Sequence, residues 1–171
     1  MKKQLLHSGW QLTTVGKNDT IPATVPGSVY NDLLNAGRME DPYWRDNEMK
    51  ALALMDEDYR YNTTFDVNAD VLNSERVLLR CEGLDTIADI VLNGEKIASV
   101  CNMHRTWEFD VKDSLKTTGN TLEIVFHSPT KYIKEQDKIC HAGGSDDAMV
   151  GFPNLRKAHC MFGWDWGVSH S

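Results

Sequence analysis

A chain of 171 residues holds about one domain and is long enough to bury roughly 70% of its unfolded surface. Hydrophobic residues make up 41% and charged residues 25%, ordinary for a globular protein, and the net charge of −7 argues against nucleic acid or an anionic membrane as a partner. No apolar run is long enough to span a bilayer, and Gln4-Leu5-Leu6-His7-Ser8-Gly9-Trp10 is too broken to be the core of a signal peptide, so the cytoplasm is the expected compartment.

The first segment, Lys3 to Leu12, has strand-like patches without clean periodicity. Two prolines and a glycine in Ile21-Pro22-Ala23-Thr24-Val25-Pro26-Gly27 make an extended, turning connection. Ser28 then reads as the N-cap of a short helix whose apolar face is Val29, Leu33, Leu34 and Ala36, with Gly37 as its stop. Asp41-Pro42-Tyr43-Trp44-Arg45-Asp46-Asn47-Glu48 is a loop dense in aromatic and charged side chains, and Asn47 reads as the cap of a second short helix through Leu54. Tyr43, Trp44 and Arg45 are candidates for the rim of a binding site, because sites concentrate on loops carried by rigid scaffolds. Rings that pin a surface loop to its domain give the same pattern.

From Tyr59 the period changes to two. Tyr59, Tyr61, Thr63, Phe65 and Val67 face one way and Arg60, Asn62, Thr64 and Asp66 the other, the mark of a strand with one buried face. Val77 to Cys81, nearly apolar on both sides, reads as a central strand. Ala88–Leu92 and Ile97–Val100 flank Asn93-Gly94, the strongest short hairpin signal. Trp107, Phe109 and Val111 mark another strand; a brief turn at Asp113–Lys116 precedes the alternation of Leu122, Ile124 and Phe126. Lys131–Lys138 reads as a short helix, and Gly151-Phe152-Pro153 as a turn. Short strands at close spacing without a βαβ rhythm predict an all-β fold, an antiparallel β-sandwich or barrel with one or two peripheral helices.

Cys81, Cys101, Cys140 and Cys160 show no close pair, and Cys140-His141 with His159-Cys160 matches no tight ligand spacing, so neither disulfides nor a metal is expected. Glu82, Glu108 and Glu123 lie at polar strand positions without an evident partner and read as a solvated face rather than as catalytic acids. The densest chemistry is Met161-Phe162-Gly163-Trp164-Asp165-Trp166-Gly167, which places two indoles around one carboxylate. A carboxylate accepts hydrogen bonds from two neighbouring hydroxyls, and an indole face fits the C–H side of a sugar ring. On chemistry alone, two core tryptophans around a turn carboxylate account for it equally well.

Val77-Leu78-Leu79-Arg80-Cys81-Glu82-Gly83-Leu84-Asp85 through Ile90-Val91-Leu92-Asn93-Gly94 resembles the N-terminal sugar-binding domain of family-two glycoside hydrolases, as does Trp107-Glu108-Phe109-Asp110-Val111 followed by Gly119-Asn120-Thr121-Leu122. Val25-Pro26-Gly27-Ser28-Val29 with Asp41-Pro42-Tyr43, and above all Arg156-Lys157-Ala158 leading to Phe162–Gly167, resemble the β-mannosidase branch.

The resemblance implies a galactose-binding-domain-like jelly roll over residues 1–171, truncated before its final strand. An immunoglobulin-like domain and a TIM-barrel domain would follow. The barrel would carry the acid/base and nucleophile glutamates of an exo-acting, retaining mechanism that removes terminal β-D-mannose. The chain alone is then inactive and forms one wall of the sugar pocket. Carried over by position, the resemblance assigns Asp165 to hydroxyls of the non-reducing mannose, with Trp164 beside it; Arg156 is a further candidate for the rim with Tyr43, Trp44 and Arg45. No cofactor is implied. The partners are a β-mannoside and the downstream catalytic domain, and an incomplete sandwich leaves a strand edge that another chain can cover. Met55-Asp56-Glu57-Asp58-Tyr59 lacks the aromatic and tryptophan usual there, and Val168 stands where the branch often has proline. An exo-β-glucosaminidase or other family-two β-glycosidase, and a non-catalytic carbohydrate-binding module, remain the alternatives.

Overall fold

A computed structural model describes residues 2–144 and 149–163. Along the chain run β1 (Gln11–Thr14), β2 (Thr20–Pro22), α1 (Val29–Asn35), α2 (Asn47–Leu54), β3 (Tyr59–Phe65), α3 (Ala69–Leu72), β4 (Leu78–Glu82), β5 (Ile87–Leu92), β6 (Glu95–Cys101), β7 (Thr106–Asp110), β8 (Asn120–Phe126) and α4 (Pro129–Ile139). Among the described residues six strands form one antiparallel sheet in the order β2-β1-β3-β8-β5-β6, while β4 and β7 form a second. β8 therefore lies between β3 and β5 and joins the two halves of the large sheet. No helix among the described residues is long and apolar enough to cross a membrane.

The alternation read in the sequence is the alternation of burial. Along the inner face of the large sheet Leu12, Tyr61, Ile124 and Ile90 stand in register, and all four are buried. Burying a side chain of that size contributes about 1.5–3 kcal/mol. Cys81 and Leu84 from the small-sheet side, together with Leu33 of α1 and Ala51 of α2, close the same core from the opposite layer. α1 is tied to the sheet by a buried polar contact: the Tyr61 hydroxyl donates to the Asp32 carboxyl at 2.8 Å, and the Thr24 backbone N–H donates to its other oxygen at 3.0 Å. Burial, reinforced by the bond to Asp32, holds the Tyr61 phenol well above its ordinary pKa.

Local signals acted as their chemistry requires. Ser28 Oγ accepts from the Asn31 N–H and starts α1. Asn93 and Gly94 both take positive φ, 53° and 84°, which a two-residue type I′ hairpin demands. Other expectations are corrected. Asn47 does not cap α2 from outside: it is the helix's first residue, Asp46 precedes it, and the Asn47 side chain instead donates to the Asp41 carbonyl at 3.1 Å. The Val77–Cys81 segment is not a central strand but belongs to the two-stranded sheet, where Leu78 points outward and is 44% exposed. Among the described residues the helices number four, α1–α4, where one or two were expected; α3 is a single turn, too short to leave a periodic trace. β2 was missed because Pro22 ends it, and an edge strand tolerates a residue without an N–H.

On the outer faces, charges pair with one another. Arg80 bonds both Glu82 and Glu108, and Arg76 bonds Asp110, all on the exposed side of the small sheet. Glu123 lies 3.6 Å from Arg60 on the outer face of the large sheet. These carboxylates are the solvated strand faces that the sequence predicted.

Candidate functional site

Two regions carry the predicted site residues. In the first, Asp41 organises the loop that precedes α2. Its carboxyl accepts from the Tyr43 N–H at 2.9 Å, and its carbonyl accepts from the Trp44 N–H at 3.1 Å. The Trp44 carbonyl accepts in turn from the Asn47 N–H at 3.2 Å. Arg45 takes a left-handed φ of 55° and lays its guanidinium 5.4 Å from the centre of the Trp44 ring. Both rings are largely exposed, Tyr43 at 69% and Trp44 at 62%. A loop fixed by its own hydrogen bonds thus presents an aromatic and cationic surface outward.

The second region is residues 149–163, two short 3₁₀ turns (Phe152–Asn154 and His159–Met161) laid across the end of the sheet. It has its own small core: Leu155 and Phe162 pack with Ile133 of α4, all three buried, with Ile87, Tyr132, Met149 and Phe152 around them. The Phe152 ring meets His159 edge-on at 4.7 Å and Phe162 at 5.9 Å. Two further contacts fix the middle. The Met103 N–H donates to the Arg156 carbonyl at 3.0 Å, and Lys157 Nζ meets Asp85 Oδ2 at 2.6 Å. Lys157 is only 5% exposed. An ammonium so placed is tolerable only beside a carboxylate, and such a pair fixes register more than it adds stability.

Gly151 is where this segment meets α4. Its φ is +83°, and a Cβ added there would stand 2.8 Å from Ile133 Cγ2 and 3.1 Å from Asp137 Cβ. Gly151→Ala is therefore expected to cost about 1–3 kcal/mol, from the left-handed backbone and the displaced contact together. Urea unfolding of the variant against the parent measures it; a loss under about 0.5 kcal/mol would show that the segment does not depend on this close approach.

Of the predicted residues, Arg156 is brought to the second region, whereas Tyr43, Trp44 and Arg45 stand on the first. The regions are connected through α2 and α4. Met55, which follows α2, gives its carbonyl to Ser128 Oγ at 2.7 Å, and Ser128 caps α4. The eight residues of α2, about 12 Å of helix, lie between that anchor and the aromatic loop. Asp165 and Trp164 lie outside the described residues, immediately beyond the second region. Surface hollows of about 430 Å³ beside α4 and about 320 Å³ on the outer face of the large sheet include none of Tyr43, Trp44, Arg45 and Arg156.

Sequence reasoning missed Lys157 and Asp85, because a lysine next to an arginine reads as surface and its partner lies 72 positions away. Cys140 and Cys160 are exposed and free, and His141 engages Asp137 at 3.1 Å. Among the described residues no cluster of three or more His, Cys, Asp or Glu could hold a metal.

Comparison with known proteins gives this arrangement a context. Residues 10–171 match the family model described as glycosyl hydrolase 2 galactose-binding domain-like. Over 96% of its length the chain is 31% identical to the β-mannosidase of Bos taurus, and over 92% it is 35% identical to β-mannosidase A of Emericella nidulans. The crystal structure of a β-D-mannosidase from Dictyoglomus thermophilum superposes on 96% of the chain with a TM-score of 0.91 and 36% identity. An Amycolatopsis orientalis exo-chitosanase shares the fold over 70% of the chain, at a TM-score of 0.60 and 20% identity. The chain spans about a fifth of the cattle protein and of the D. thermophilum chain.

Proposed function

The chain belongs to the glycosyl hydrolase 2 galactose-binding domain-like family, and from that premise we propose that it is the N-terminal domain of an exo-acting, retaining β-mannosidase, contributing one wall of the pocket for terminal β-D-mannose. The observation that carries this reading is likeness to β-mannosidases of cattle, a fungus and a bacterium across nearly all of the chain, at 31–36% identity. The glucosaminidase alternative has a fold match over 70% of the chain at 20% identity.

In this reading Asp165 accepts hydrogen bonds from hydroxyls of the non-reducing mannose and Trp164 lies against the ring. Neither transfers a proton; both orient the sugar toward carboxyls on a downstream barrel, which a retaining mechanism sets about 5–5.5 Å apart. Supporting it, residues 149–163 are held at three points ahead of Trp164: Phe162 in the small core, Lys157 on Asp85, and the Arg156 carbonyl on Met103. Arg156 and the exposed loop of Tyr43, Trp44 and Arg45 supply the pocket rim. The 171-residue chain by itself is inactive in this account, because the catalytic carboxyls are supplied by the downstream barrel. Among the described residues the outer edges of β4 and β7 carry no further strand, and in this reading additional chain joins the smaller sheet there.

The test is hydrolysis by the protein that joins this chain to its downstream domains. An aryl β-mannoside is expected to be cleaved with kcat/KM about 100-fold or more above the aryl β-glucosaminide, because a site built to bond the axial 2-hydroxyl is left unpaired by an equatorial 2-amino group. The reverse order would assign the glucosaminidase reading. Hydrolysis of neither, with sugar binding retained by the chain, would assign a binding module.

A further inference from the structure

We propose that His127, held between Asp58 and Asp89, is a pH-operated catch that fastens the β8–α4 corner to the sheet and so controls how firmly residues 149–163 are docked. It lies outside the sugar reading and needs no ligand. His127 follows β8 directly. Its Nδ1 is 3.1 Å from Asp58 Oδ2 and its Nε2 is 3.2 Å from Asp89 Oδ2. A neutral imidazole has one donor nitrogen and one acceptor nitrogen, and an ionised carboxylate only accepts. Between two carboxylates the neutral ring therefore makes one good bond and turns a lone pair against the other oxygen. Only the imidazolium makes both.

The groups facing the ring come from each element around it. Asp58 lies just ahead of β3, and its second oxygen takes the Ser128 N–H at 2.9 Å, so one carboxylate grips two successive residues of the corner. Asp89 of β5 is braced from β6 by Lys96 at 2.8 Å and Ser99 at 2.7 Å. Those two bonds hold the Asp89 carboxyl at a pKa of about 2, so it stays charged wherever the histidine titrates. From α4, Lys134 and Thr130 engage Asp56, not the imidazole. Burial alone would lower the His127 pKa, but the hydrogen bonds that the ring donates to Asp58 and Asp89 outweigh it and leave it above the ordinary 6.5.

The sign follows from linkage. A folded-state pKa raised above the unfolded value gives a contribution that is complete below about pH 6.5 and fades as pH rises through the folded value. What fades is the anchor at the start of α4. Ser128 caps that helix, and Ile133 on it is the seat of Leu155 and Phe162. Loosening the corner thus loosens the segment, while β5 and β8 keep their ladders.

Hydrogen-exchange protection factors of the 171-residue chain, read by NMR at pH 6 and pH 9, test this. Amides of α4 and of residues 150–162 are expected to lose protection several-fold at the higher pH, about tenfold for each unit by which the His127 pKa is raised, while central amides of β5 and β8 change little. His127→Gln should abolish the difference between the two pH values. Uniform protection changes across the sheet, or the same pH response in His127→Gln, would overturn the proposal. Should that variant not fold, the His127 ring resonances of the parent decide: a midpoint that coincides with the loss of α4 protection supports the catch, and one that does not coincide refutes it.

Discussion

Asp165→Ala in the complete enzyme is expected to lower kcat/KM for an aryl β-mannoside by about 10²–10⁴-fold while the fold is kept. A charge-assisted hydrogen bond contributes about 1.5–3 kcal/mol, so a carboxylate that serves two hydroxyls accounts for about 3–6 kcal/mol. At about 1.4 kcal/mol per factor of ten, that is the stated range. If the proposed orienting role holds, the loss should fall on kcat as well as KM, and Asp165→Asn, which keeps one acceptor without the charge, should lie between parent and alanine. Steady-state kinetics with an unchanged circular dichroism spectrum would establish it. Parent-like kinetics in Asp165→Ala would remove Asp165 from the pocket.

Phe162→Ala is the substitution expected to cost most in stability, about 3–5 kcal/mol. Phe162 is 1% exposed and, among the described residues, shares its core with two other fully buried side chains, Ile133 and Leu155. A cluster that small cannot collapse around the hole left by a lost ring, so the cavity cost persists. Phe162→Leu should recover most of the loss. Urea unfolding with several probes measures the effect; a cost below about 1 kcal/mol would show that the small core does not hold residues 149–163 in place. In the complete enzyme Phe162→Ala should also impair turnover, since the residue stands three positions before Asp165.

Legibility in the sequence followed the range of the interaction. Asn93-Gly94 declared the hairpin and Ser28 the start of α1, because backbone conformation and capping are settled among adjacent residues. The alternation from Tyr59 fixed which face of β3 is buried. Leu78 misled, since an apolar side chain on both faces describes a central strand and an incompletely covered small sheet equally well. Lys157 on Asp85, and His127 between Asp58 and Asp89, were hidden because their partners are 72, 69 and 38 positions away and each residue alone looks solvated. For the site, the loop at Tyr43–Arg45 could be picked out by composition, but its outward display depends on the Asp41 hydrogen bonds. The sugar reading of Asp165 rests on resemblance, since two indoles around a carboxylate suit a core as well as a ligand.

The place of β8 has a consequence for synthesis. A ribosome delivers β1, β2 and β3 first and the β5–β6 hairpin later, yet neither group pairs with the other; both wait for β8, which bonds Tyr59–Phe65 on one side and Ala88–Leu92 on the other. Until residue 126 clears the exit tunnel, the nascent chain holds two separate sheet halves with open edges facing one another. Folding of the large sheet is thus a late closure rather than a progressive one, and a nascent chain stalled before β8 should be a substrate for chaperones rather than a partly finished domain.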